Sequence, residues 1–108
     1  MPTMQDTVSV AANSVSTNVM AGQLYEFPAP GTPIRIAALG AATGIRCTMI
    51  SAVPIINDQA INFNAASQFP IIPDNVVGTF RHRGGRLVLT FRNTTGVAIV
   101  TGWRVDVA

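Results

Sequence analysis

Arg81, His82, Arg83 and Arg86 fall within six positions of the stretch GTFRHRGGRLVLTF, around the pair Gly84–Gly85. Three guanidinium groups and an imidazole this close together have the chemistry of a phosphate grip, because arginine offers a planar fork of donors matched to oxyanions. The same residues also suit a polar turn between strands. A single-stranded nucleic-acid site interleaves aromatic platforms with its cations, and only Phe80 lies beside this cluster. RGG occurs once rather than as a repeated tract. A polar turn that ion-pairs with a neighbouring subunit is therefore preferred over a nucleic-acid site.

Catalytic constellations are sparse. His82 is the only histidine, so multi-histidine metal centres are excluded. A Ser-His-Asp set would need His82, some serine and Asp58, Asp74 or Asp106, and no nucleophile elbow marks one. Glu26 is the only glutamate, with no marked partner for two-carboxylate glycoside chemistry. No glycine-rich phosphate loop joins a strand to a helix. Cys47 is alone and alternates with Ile45 and Met49 as a small apolar residue does. The expectation is a protein without enzymatic activity, cofactor or metal.

The elements that must position the arginine cluster have a period of two. Ile34 and Ile36 flank Arg35; Ile45, Cys47 and Met49 alternate with Arg46 and Thr48; Leu87, Leu89 and Phe91 alternate with Val88, Thr90 and Arg92. Val97, Ile99, Trp103, Val105 and Val107 share one parity near the end. Such alternation puts one set of side chains on a single strand face. Glycine-, proline- and asparagine-rich punctuation breaks the runs at short intervals, as in a sandwich or barrel. The fold class expected is all-β: a single-domain antiparallel β-sandwich, jelly-roll-like, of about eight strands. Eight strands are placed near 7–12, 14–20, 23–28, 33–39, 44–51, 59–64, 76–82 and 86–92, with a long last one at 97–107. Residues 1–6 are expected to be a flexible N-terminal arm and 7–108 the sandwich domain. The last two strands are expected to form a hairpin with Phe91 facing Val97 and Leu89 facing Ile99. The core is expected from Leu87, Leu89, Phe91, Val97, Ile99, Trp103 and Val105.

Composition points outward from the single chain. Of the 108 residues only 11% are charged while 48% are hydrophobic, against about 25% charged in an ordinary domain. All seven basic residues are arginines, and arginine is enriched, lysine depleted, where proteins touch. A net charge of +2 is weak for a general nucleic-acid binder. MPTMQDTVSV has neither a basic start nor an apolar run, so no secretion signal is expected. No stretch approaches the ~18 apolar residues of a membrane helix. The segment Asn57–Asn75 alternates poorly yet carries Phe63, Phe69, Ile71 and Ile72. With Arg81, Arg83, Arg86 and Val100, these are the candidate contacts to neighbouring subunits.

The polar alternating start TVSVAANSVSTNV and the closing GGRLVLTFRNTTGVAIVTGWRVDV resemble small jelly-roll or β-sandwich virion proteins, especially bacteriophage capsid decoration (cement) proteins. The likeness is one of texture over most of the chain. It implies a non-enzymatic minor capsid component, often trimeric, made in the host cytoplasm and seated on the major capsid protein at the virion surface. A second reading is a carbohydrate- or receptor-binding module of tail-fibre or lectin type, with Tyr25, Trp103 or Phe69 stacking on a sugar. A third is a small oligonucleotide-binding barrel using the Arg81–Arg86 turn.

Overall fold

Eight strands run through the chain: β1 (Thr3–Val10), β2 (Pro33–Gly40), β3 (Ile45–Ser51), β4 (Val53–Ala60), β5 (Asn62–Phe63), β6 (Val76–Arg81), β7 (Leu87–Asn93) and β8 (Ile99–Val107). The computed structural model describes residues 3–23, 25–64, 69–70 and 75–107, and among these there is no helix. One sheet has the order β1-β8-β2, with β2 flanked on its far side by β5 and β6; the other has the order β4-β3-β7. Every pairing is antiparallel except the two-residue contact of β5 with β2. The fold is an all-β antiparallel sandwich.

The order is that of a jelly roll once residues 14–19 are included. This segment runs along the free edge of β7 without becoming a regular strand. Ser16 N–H donates to the Phe91 carbonyl at 2.7 Å and Val19 N–H to that of Leu89 at 2.9 Å. In return, the Ser16 hydroxyl and the Asn18 side-chain oxygen accept from Phe91 N–H and Leu89 N–H, each at 2.9 Å. Side-chain oxygens thus take the place of strand carbonyls, a local competition that Ser and Asn are suited to win. The chain then crosses between the sheets at each step except β3 to β4 and β5 to β6, the pattern of two Greek keys. The strand expected at 14–20 is this irregular edge cover. The described residues of the strand expected at 23–28 form no strand, and Pro28 within it lacks a ladder donor.

The inward faces follow the alternation. Leu87, Leu89 and Phe91 from β7, Ile45, Cys47 and Met49 from β3, Ile34, Ile36 and Ala38 from β2, and Ile99, Trp103 and Val105 from β8 form one buried cluster. Trp103 lies opposite Ala38 in the register, so a small side chain makes room for the largest one.

Three expectations are corrected. The arm placed at residues 1–6 is strand from Thr3 onward, paired from Thr3↔Asp106 to Val10↔Ile99; its first two residues lie outside the described set. The β7–β8 hairpin does not form. Leu89 pairs with Met49 across β3, and the 94–98 connection crosses from one sheet to the other. Val97 is therefore not core but 66% exposed. It lies before β8 begins, and its carbonyl accepts from Asn93 Nδ2 at 2.7 Å, which turns the loop outward. Finally, residues 52–58, left between the strands expected at 44–51 and 59–64, fall from Val53 onward within β4. The chain reverses at Ala52, with φ 63°, and Asp58, with φ 52°, interrupts the new strand.

Trp103 should emit at blue-shifted wavelengths and resist iodide quenching. Trp103→Ala should cost about 3–5 kcal/mol in urea denaturation. Emission at the wavelength of free indole would mean that the β8 register is wrong.

Candidate functional site

The arginine cluster sits where β6, in one sheet, passes to β7, in the other. Gly84 and Gly85 adopt φ of 123° and 74°, conformations that other residues resist. His82 is not part of the solvated tip. It is 2% exposed, with Nδ1 2.7 Å from the Ser51 hydroxyl and Nε2 2.9 Å from the Gly85 carbonyl. A carbonyl only accepts, so neutral His82 carries its proton on Nε2 and Ser51 donates to Nδ1. The Ser51 hydroxyl in turn accepts from Arg83 N–H at 2.8 Å. Ser51 is also buried, and no carboxylate bonds to this imidazole among the described residues. The pair braces the corner and presents no nucleophile to solvent.

The same corner is stitched to residues 26–32. Leu87 N–H donates to the Glu26 carbonyl, Gly31 N–H to that of His82, and His82 N–H to that of Thr32. Arg86 Nε pairs with the Glu26 carboxylate, which also accepts from Gly22 N–H at 3.0 Å. The Gly22 bond, with Arg86 adding to it against desolvation, holds the Glu26 carboxyl below the usual glutamate range. Arg81 Nη1 donates to the Gly31 carbonyl at 3.1 Å. This stitching brings Phe27, 68% exposed, to the arginine corner, an aromatic that linear spacing had put far from it.

Asp106 forms a second cluster on the outer face of β8. It is 1% exposed, yet accepts from Thr3 Oγ1 at 2.7 Å, Arg35 Nε and Nη2 at 2.9 and 2.7 Å, and Arg104 Nε at 2.9 Å. Burial pushes its carboxyl up, but the bonds from Thr3, Arg35 and Arg104 outweigh it and hold the group below the ordinary aspartate range. A third cluster lies on the outer face of the other sheet. There Arg92 forks onto Asp58 at 2.9 and 2.6 Å, and Arg46 approaches the same carboxylate at 3.2 Å. Arg92, with Arg46 adding to it, lowers the Asp58 carboxyl.

The other candidates are dispersed. Phe63, 58% exposed, and Phe69 are at the surface; Ile71 and Ile72 lie outside the described residues. Arg81, Arg83 and Arg86 are exposed, while Val100 is half-buried on the outer face of β8, opposite Ser9. Of the aromatics considered for sugar stacking, Trp103 is in the core and Tyr25 packs against it. Burial drives the Cys47 thiol up to about 12, so it is not a thiolate nucleophile. Among the described residues no three of His, Cys, Asp and Glu converge as metal ligands. Comparison with known proteins finds no matching family model, curated protein or solved structure.

Two predictions follow from these clusters. Ser51→Ala strands His82 Nδ1 and the Arg83 N–H inside the corner and should cost roughly 1–3 kcal/mol; a loss below about 0.5 kcal/mol, the ordinary surface effect, would show that the brace carries no weight. For Asp106 the folded carboxyl titrates below its unfolded value, so its contribution is full above about pH 3.9 and is lost as pH falls through the lower folded value. The urea midpoint should hold steady near neutrality and drop in acid. Asp106→Asn should lower stability at pH 7 by roughly 1–3 kcal/mol and make the acid limb shallower, with Asp58 and Glu26 supplying the remainder. An unchanged acid limb would overturn the assignment.

Proposed function

We propose that this chain is a non-enzymatic structural subunit that acts as one of several identical copies on a larger particle. A capsid decoration (cement) protein, as a homotrimer on the major capsid lattice, is the specific form of this reading. The observation that carries it is the exposure of large apolar side chains on a domain poor in charge. Three of the five phenylalanines, Phe27, Phe63 and Phe69, are at the surface, with Val15, Val53 and Val97. Single exposed apolar residues are ordinary, but phenylalanine and arginine together are the residues that anchor protein interfaces. The braced sandwich supplies a rigid frame for such contacts. Each is weak alone, and symmetric repetition makes their sum strong. The glycan-binding alternative is weakened by the burial of Trp103.

Sedimentation should give a mass about three times the 11.4 kDa chain, stable to dilution. Phe63→Asp and Phe27→Asp should shift it toward monomer while far-ultraviolet circular dichroism stays unchanged. A monomer at every concentration, indifferent to both substitutions, would overturn the oligomer and remove most support for the decoration role.

A further inference from the structure

The pairing of β2 with β6 sets Pro33 opposite Arg81 and Arg35 opposite Thr79, so Arg35 and Arg81 are diagonal neighbours on one sheet face. Between them lies an open depression of about 320 Å³ whose lining includes Pro33, Arg35, Thr79, Phe80, Arg81 and Asp106. That volume is at the lower end of ligand sites, roughly 300–1,000 Å³.

The two arginines are not equivalent. Arg35 spends its Nε–Nη2 edge on Asp106, which positions it and leaves Nη1 outward. Arg81 is anchored at the opposite end, through Nη1 to the Gly31 carbonyl, so its Nε–Nη2 edge has no partner among the described residues. That edge is one through which arginine can grip a carboxylate with two parallel hydrogen bonds. The described residues offer it none: Asp106 is taken by Arg35 and Arg104, Asp58 by Arg46 and Arg92, and Glu26 by Arg86, and Asp6 accepts from Thr7 N–H. With Asp106 as the one carboxylate against Arg35 and Arg81 in its lining, the depression carries excess positive charge beside the apolar ring of Pro33.

We propose that this depression binds a carboxylate carried on an apolar body, with Arg81 as the bidentate partner, Arg35 as a second cation fixed by Asp106, and Pro33 and Thr79, on the same sheet face, against the body. A free organic acid and a glutamate beside an apolar residue on another protein share this chemistry.

The test is an amide-resolved NMR titration at low salt with benzoate, acetate, inorganic phosphate and the capped dipeptide acetyl-Phe-Glu-amide. Benzoate or the dipeptide should give saturable shifts confined to residues 34–36, 79–82 and 105–107, with Kd on the order of millimolar, and acetate and phosphate should bind more weakly. Tighter binding of the dipeptide assigns the site to a protein-borne glutamate, tighter benzoate to a free acid; either supports the proposal. Arg81→Gln, which leaves the Asp106 cluster intact, should weaken binding about tenfold or more while its own spectrum stays dispersed. Shifts that do not saturate, that scatter over other arginines, that are equal for phosphate and benzoate, or that survive Arg81→Gln would overturn it. The site stands on one protomer, so a monomeric mass leaves it intact and a failed titration leaves the oligomer reading intact.

Discussion

The structure hangs on β8 being hydrogen-bonded along both edges. With β1 on one side and β2 on the other, every side chain of β8 must go up or down, and neither direction is fully wet. Inward, Trp103 fills the space above Ala38. Outward, Gly102 and Asp106 are also buried. A buried carboxylate without partners would be neutralised or would unfold the strand. Asp106 therefore draws Thr3 from β1, Arg104 from its own strand and Arg35 from β2. One central strand thus fixes the inner packing, the outer ion cluster and the orientation of an arginine at the rim of the depression.

Edges are the complementary problem, since a regular free edge invites pairing with other chains. The edge of β7 is closed by residues 14–19 through Ser16 and Asn18. Asn93 finishes that closure. Its side chain donates to the Val10 and Val97 carbonyls and accepts from Thr95 N–H, joining the end of β1 to the crossing loop. β4 carries Pro54 and two register shifts, and β6 has a shift against β2. On β1, Asp6 turns its carboxylate back onto Thr7 N–H at 2.8 Å.

Parity was legible in the sequence; partnership was not. Leu87, Leu89, Phe91, Ile99, Trp103 and Val105 face inward as their alternation requires, because both sheets face the same interior. For that same reason alternation cannot tell which sheet a strand joins, and β7 could be misassigned to β8 without disturbing a single inward residue. Val97 kept the right parity but stood outside the strand. The first half of β1 was hidden by Asp6, an acidic residue on the parity that Met4, Val8 and Val10 share. At the site, the glycine conformations at 84 and 85 and the exposure of the arginines were readable locally. The Ser51–His82 brace, the arginines around Asp106 and the approach of Phe27 were not, since each joins residues dozens of positions apart.

The exclusive use of arginine fits this economy. Three carboxylates, Glu26, Asp58 and Asp106, engage five arginines. Sharing one carboxylate between two cations works best with planar donors that approach along different edges, which a lysine ammonium cannot do as well. Folding accounts for those five. It accounts less well for Arg81, whose single bond to the Gly31 carbonyl would be met as readily by water, or for Arg83, whose side chain has no ion-pair partner among the described residues. Both stand on the β6–β7 corner, braced by His82 from within. A rigid corner whose charges the fold does not need is the part of this molecule whose residue types call for an explanation outside the chain.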